Sequence, residues 1–460
     1  MITALDTLKE LYGQSKEQMF EDFFTFLKFS SISTEPEHQP EVLACANWLK
    51  EYIDKMGFQT EFWETSGHPV IFASHLQAGP NKPTILIYHH YDVQPVDPLE
   101  LWESPPFEPA IREGEIYARG AQDNKGQCFY VLQALKILLN MEEKLPVNVK
   151  LCIEGEEEAG SSGLGDIVEK KREQLKADYL AVVDISILQP HLPTITLGVR
   201  GIALMDVDVQ ASNTDLHSGG HGGIAYNPIH ALAEVLSSLR DRSGKITIPG
   251  FYDEVKTLTA EEKSQLALDF DEKEYTKMFG AKPVGGESSF SPFERAWIRP
   301  TLEINGISGG YTGQGFKTVI PSKAHAKISC RLVPNQDPVQ IAKRVADYIR
   351  ENIHDGVDVN VTIHQGGGKA VTSDISTAIV QSFAQAYEEV FQSPTKYIFQ
   401  GGSIPVIDKL REASGSAVVF VGLGLPGDHI HAPNEHFGID RMEKGCLIMA
   451  RTLQILGEDR

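Results

Sequence analysis

Five short stretches of this 460-residue chain carry side chains able to bind cations or move protons. They are His89-His90 with Asp92, then Asp123, the run Glu154-Gly-Glu-Glu-Glu158, Asp184, and His429 with His431. The acidic run is the hardest to read as plain architecture. An apolar, β-rich segment, 147–153, leads directly into it. Adjacent carboxylates repel, and burying each without a partner costs several kcal/mol. A solvated acidic loop avoids that cost and is the commoner explanation of such a run. Here the run follows a buried-looking strand, and a cation would remove the repulsion. Two histidines with three or four carboxylates make a hard-to-borderline ligand set, suited to Zn²⁺ or Mn²⁺. A pair of such ions sharing a carboxylate, roughly 3.5–4 Å apart, activates a water and polarises a carbonyl.

Each stretch alone has a plainer explanation. A histidine after a strand is more often a hydrogen-bonding loop residue, Asp123 reads as a helix N-cap, and Asp184 as a turn residue. Their shared placement is the stronger signal. The His90, Glu157–Glu158 and Asp184 stretches each follow the C-terminal end of an apolar segment, at 84–88, 147–153 and 177–184. The last pair follows another, 417–421. In open α/β sheets ligands bind in the crevice outside those strand ends. Spacing alone does not choose between His89 and His90, or between His429 and His431.

The elements that must position these residues follow from periodicity. Residues 15–57 read as helical, with an apolar stripe through Phe20, Phe23 and Phe24 and a stop at Gly57. Paired strands are expected in 58–72, a fully apolar strand at 84–88, an apolar, β-rich strand at 147–153 and another apolar strand, ending in an acid, at 177–184, with a helix over 126–139 after the first. That alternation predicts an α/β sheet with substantial parallel pairing. From about residue 200 the strands alternate apolar and polar, as half-buried strands do, and 253–300 reads as polar and irregular. Strands at 202–210, 301–307, 324–332 and 357–364, with helices at 227–239 and 338–353, give a β-α-β-β-α-β order. The expected fold is a central mixed, largely parallel sheet with helices on both faces, interrupted by an inserted α+β, ferredoxin-like domain. The expected boundaries are 1–199 and 366–460 for the two parts of the first domain and 200–365 for the insertion.

Net charge is −21, which excludes a general nucleic-acid or anionic-membrane binder, because no basic surplus exists to neutralise phosphates. Five scattered cysteines without a CxxC fit neither a disulfide framework nor a cysteine zinc site, and predict a reducing, cytoplasmic setting. No signal peptide is expected, and no apolar run approaches the roughly 20 residues that span a bilayer.

These residues carry a family resemblance. The chain resembles the zinc-dependent dipeptidase, aminoacylase and succinyl-diaminopimelate desuccinylase family, and is most similar to its cytosolic nonspecific, carnosine-type dipeptidase branch. The resemblance rests on Tyr88-His-His-Tyr-Asp92, Arg119-Gly-Ala-Gln-Asp123-Asn-Lys-Gly126, Glu154 to Ser161, Asp215-Leu-His217-Ser-Gly219, Lys317-Thr-Val-Ile-Pro321, Arg331-Leu-Val-Pro-Asn335, Gly401-Gly-Ser-Ile-Pro405 and His431-Ala-Pro-Asn-Glu435. It implies a metallopeptidase with two divalent ions per subunit, Zn²⁺ foremost, with Mn²⁺ or Co²⁺ as alternatives. His90 and Asp184 would hold one ion, Glu158 and His431 the other, and Asp123 both. Glu157 would be the general base acting on a bridging water, and Asp92 would orient His90. A cis Asp123–Asn124 peptide is implied. So is a homodimer through the inserted domain, which would act as lid and dimerisation domain, with His217 reaching the partner's active site to stabilise the oxyanion. Arg331 would fork the substrate carboxylate, helped by Thr318, Gly402 and Ser403.

The chain departs from the pattern at Gln400, where the nearest relatives carry a Glu that meets the substrate amine. It departs again at Gly366, where they carry a His. The first departure leaves two substrate classes open: dipeptides or short peptides, and N-acyl-amino acids. A metal-binding homologue without catalysis is a third alternative, opposed by the intact Glu157.

Overall fold

The structure is a computed structural model that describes residues 4–364, 367–402, 404 and 406–458. It divides into two compact units. One comprises Met1–Gly198, Thr372–Ile398 and Val406–Arg460, and the other Val199–Val371 with Phe399–Pro405.

The first unit starts with α1 (Ala4–Leu27) and α2 (Gln39–Lys55). The first helix begins well before residue 15, because Leu5, Leu8 and Tyr12 extend the same buried stripe as Met19, Phe23 and Phe26. After α2, Gly57 takes φ +91°, a left-handed turn that favours glycine. The strands β1 (Gln59–Trp63), β2 (Val70–His75) and β3 (Thr84–His90) follow. Then come α3 (Lys125–Glu142), β4 (Asn148–Glu154), β5 (Tyr179–Val183) and β6 (Thr194–Val199). Every residue of α3 from Lys125 to Leu135 is buried, and Phe129 stacks on Phe23 with ring centroids 5.2 Å apart.

In the second unit β7 (Gly201–Gln210), α4 (Pro228–Ser238), β8 (Thr301–Gly309), β9 (Lys323–Leu332), α5 (Pro338–Asn352) and β10 (Asp358–Ile363) realise the expected β-α-β-β-α-β sequence. The sheet is antiparallel throughout, in the order β8-β9-β7-β10. Alternation in β7 places Ala203, Met205, Val207 and Val209 in a core with Leu232 and Val235 of α4 and Ile341 and Val345 of α5. Residues 253–300 are less irregular than the sequence predicts, with short helices Ala260–Ser264, Glu272–Phe279 and Pro292–Trp297. Thr259 with Glu262, and Ser291 with Glu294, form capping boxes that start two of them.

The chain returns to the first unit through β11 (Val371–Thr372), α6 (Ala378–Phe391), β12 (Lys396–Gln400), β13 (Ala417–Val421) and α7 (Ile439–Glu458). Its sheet runs β1-β2-β4-β3-β5-β13-β6-β11, with β12 paired to β6. The centre is parallel: β3 pairs with β4 and β5, and β13 with β5. The flanks β1 and β2 are antiparallel to their neighbours, and β6 is antiparallel to β13. The C-terminal ends of four adjacent strands, β4, β3, β5 and β13, therefore open on one side, and the loops that leave them carry the acids and histidines. A small antiparallel ribbon of Ala110–Arg112, Glu115–Tyr117 and His436–Gly438 ties the segment before Asp123 to the segment after His431.

Candidate metal centre

Two groups of three ligand-type side chains converge at those strand ends, and Asp123 belongs to both. One group is His90, Asp123 and Asp184; the other is Asp123, Glu158 and His431. The two oxygens of Asp123 are divided between them. Its Oδ1 lies 3.1 Å from His90 Nε2, and its Oδ2 lies 3.0 Å from His431 Nε2. His90 Nε2 is also 3.6 Å from Asp184 Oδ1, and His431 Nε2 is 3.4 Å from Glu158 Oε2. The donor set is imidazole nitrogen and carboxylate oxygen, which suits Zn²⁺ and related ions. Buried Oε1 of Glu158 has no hydrogen-bond partner among the described residues, as expected of an atom reserved for a cation. The residues fit two metal ions sharing one carboxylate.

Electrostatics describe the same demand for positive charge. Burial, then the charge of Asp123, raises Glu158 to about 7. Glu157 is pushed well above the ordinary carboxylate range by burial, with Asp184, Glu158 and Asp123 adding to the rise against His90. Hydrogen bonds to Asp123 and Glu158 raise His431 to about 10. Burial opposes charge on His90, yet the carboxylates of Asp184, Asp123 and Asp92 outweigh it and lift that imidazole well above its usual value. Crowded acids thus hold their histidines protonated unless another cation takes that place.

The surrounding side chains hold these groups in place. Asp92 contributes its main-chain carbonyl at 3.1 Å and its carboxylate at 3.3 Å to His90 Nδ1. The same carboxylate accepts the backbone N–H groups of Glu157 at 3.2 Å and Glu158 at 3.0 Å, and the Ser33 hydroxyl at 2.6 Å. One buried residue therefore links the histidine to the acidic turn. Asp123 is not the cap of α3: Asn124 occupies that position, and the Asp123–Asn124 peptide is cis. The Asn124 amide donates to Asp184 Oδ1 at 2.6 Å and faces His89 Nδ1 at 3.1 Å. His89 is fully buried, and desolvation lowers it to about 3, so it stays neutral and away from the ligand groups. His429 is exposed and lies edge-on to His436 at 5.4 Å, outside both groups. Both His429 and His431 have φ +58°, a sparsely populated backbone region of the kind found at functional sites.

Glu156 has a task that its place in an acidic run does not announce. It is buried, at 6% exposure. Its Oε2 accepts the N–H of His68 at 2.8 Å, and its Oε1 the N–H of Gly163 at 2.8 Å. The carboxylate pins the loop before β2 to the helical turn that follows the acidic run. Glu156→Ala should leave two backbone donors unpaired and destabilise the protein by about 1–3 kcal/mol. A urea titration would show it as a lower midpoint, with turnover per folded molecule retained.

Residues 86–455 match peptidase family M20/M25/M40. The chain belongs to that family. It is 30% identical to the Cys-Gly metallodipeptidase dug1 of Schizosaccharomyces pombe, over 97% of this chain and 97% of that one. It is 34% identical to the human Beta-Ala-His dipeptidase, over 80% of this chain and 73% of the relative. Among solved structures it matches the M20 family metallo-carboxypeptidase Sso-CP2 of Sulfolobus solfataricus with a TM-score of 0.86 at 35% identity, covering 95% of this chain and 99% of that one.

The remaining residues singled out in this M20/M25/M40 peptidase lie in its second unit. His217 is exposed, and its Nδ1 accepts the N–H of Gly219 at 3.1 Å. That bond leaves the ring proton on Nε2 when the imidazole is neutral. A short ribbon pairs Leu216 and His217 with Ile320 and Val319, and Thr318 accepts the Ser218 N–H through its carbonyl at 3.0 Å. Asp215 pairs with Lys317 at 3.0 Å and braces the same ribbon. Arg331 is half-buried on β9 opposite Ile202 and Thr301. Gln400 ends β12, and Gly402 is exposed just beyond it. Ser403 and Gly366 lie outside the described residues. Sequence reading missed Arg200, whose main-chain N–H and Nε hold the Gly402 and Gly401 carbonyls, each at 3.0 Å. The only hint was its place before a strand, since its partners stand two hundred positions away. Among the described residues no helix is long and apolar enough to cross a membrane.

Proposed function

We propose that this M20/M25/M40 peptidase is a zinc dipeptidase that hydrolyses the amide bond of dipeptides and short peptides. The observation that carries this is the division of the two Asp123 oxygens between His90 and His431, each with its own second acid. His90, Asp184 and Asp123 hold one ion, and His431, Glu158 and Asp123 the other. When bound, the ions supply Lewis acidity to the scissile carbonyl and make water a usable nucleophile near neutral pH. Glu157 does the proton work. It takes a proton from the attacking water and returns it to the leaving amine. Asp92 holds His90 in one orientation and sets the turn that presents Glu157 and Glu158.

The second unit serves as lid and dimerisation domain. His217 of a second copy donates from Nε2 to the developing oxyanion, a role supported by the Gly219 bond that leaves its proton there. Arg331 forks the substrate carboxylate, helped by Thr318, Gly402 and Ser403, and Gln400 serves the amine end. Five buried, unpaired cysteines suit a reducing cytoplasm.

The test is a panel of free dipeptides, their N-acetylated forms and longer peptides, run with zinc-reconstituted protein with and without chelator. Chelator-sensitive hydrolysis of free dipeptides is expected. Preference for the N-acetylated forms would instead make it a deacylase, and no turnover despite full metal occupancy would leave only a binding protein.

A further inference from the structure

Glu435 lies four residues beyond His431 and plays no part in the chemistry above. It is completely buried, as is its partner Arg119 at 1% exposure. Its carboxylate accepts four hydrogen bonds, all at 2.9 Å. Oε2 takes Arg119 Nη1 and the backbone N–H of Gly120; Oε1 takes the backbone N–H groups of Gln122 and Asp123. Closely spaced backbone donors turned toward one anion form a nest-like cradle, and charge-assisted bonds of this kind are the strong ones. The backbone conforms to the carboxylate: Gly120 takes φ +82°, and a Cβ there would stand 2.8 Å from Val93. The main-chain carbonyl of Glu435 also accepts the N–H of Ala118 at 3.1 Å.

The consequence is geometric. The nest ends on the backbone N–H of Asp123, whose carboxylate faces both ligand groups. The carboxylate that fills the nest stands in the same short segment as His431. The other end of that segment is also anchored, through buried Asp428 on Arg441 and through the 3.0 Å bond from His436 N–H to the Asp428 carbonyl. Arg119 reaches further and donates from Nη2 to the Pro95 carbonyl at 2.8 Å, just past Gln94, which donates to Glu158 Oε2 at 2.7 Å.

We infer that Glu435 is a positioning residue for the metal centre: its carboxylate joins the Asp123 turn and the His431 segment into one body and so sets the spacing between the two groups of ligands. This rests on the reading of Asp123 and His431 as metal ligands. The test uses the full chain and Co²⁺ alone as probe. Glu435→Gln keeps the shape but places an amide N–H₂ against donors. It should remain folded by circular dichroism, bind Co²⁺ about 10–100-fold more weakly and show an altered visible cobalt spectrum. At saturating metal its kcat should fall, while KM for a dipeptide changes less than about threefold, since no substrate contact is lost. Binding within threefold of wild type with an unchanged spectrum overturns the inference. If Glu435→Gln does not fold, Arg119→Lys decides, because it weakens the same anchor and leaves the backbone nest; weaker Co²⁺ binding supports the inference, and wild-type binding overturns it. Wild-type protein that takes up no Co²⁺ pair would remove the metal reading itself, whereas a wild type that binds two with variants that match it removes only the role of Glu435.

Discussion

Glu157→Gln is expected to lower kcat by about 10²–10⁴-fold while two metal ions remain bound. Glu157 stands in the turn after β4, and its backbone N–H is held by Asp92, so the position of the turn does not depend on the side-chain charge. The side chain stands among Asp184, Glu158 and Asp123, which together with burial raise its proton affinity. A carboxylate tuned upward in this way can take a proton in one step and return it in the next, which an amide cannot do. Glutamine has nearly the same volume, so metal uptake and KM for a dipeptide should change little. Turnover would be measured with zinc-reconstituted protein at saturating substrate, with metal content determined on the same sample. Near wild-type kcat with both ions in place would assign the proton transfers to another group.

Asp123→Ala should have an effect on the order of 10³-fold or more on turnover, with loss of metal as its cause. Asp123 is the one carboxylate common to both ligand groups, and it faces an imidazole with each oxygen. Its removal takes a ligand from each ion at once and leaves His90 and His431 without the negative charge between them. Asp184→Ala and His431→Ala each touch one group only, so each should retain one ion. Metal titration followed by elemental analysis separates the cases: fewer ions for Asp123→Ala than for either single-group variant is the expected order. Two tightly held ions in Asp123→Ala would refute the shared-ligand geometry.

Much of the fold was legible because it is written in local periodicity. The apolar strands that lead to His90, Glu157 and Asp184, and the alternating strands of the second unit, appear close to where their patterns put them. The short helices within 253–300 had local signals too, the Thr259–Glu262 and Ser291–Glu294 capping boxes, but these sit in a polar stretch without apolar periodicity. Glu156 and Glu435 were illegible for another reason. The first is tied to His68 and the second to Asp123, which stands 312 positions earlier, through bonds to main-chain N–H groups. A backbone donor has no side-chain signature, so no residue type in the sequence marks the partner.

Residue types and their order limited which chemistries were available. It placed imidazoles and carboxylates just past apolar strands, and its acidic run called for a cation. Tertiary structure alone decided how these residues combine. Neighbouring residues of a strand point to opposite faces, so of His89 and His90 one turns into the buried interior beside Asn124 and the other toward Asp123 and Asp184. Parallel pairing of β4, β3, β5 and β13 brought four loops from distant parts of the chain to one edge. The division of the two Asp123 oxygens arises there, because ångström-scale spacing between side chains depends on strand register and on buried anchors that no local pattern encodes.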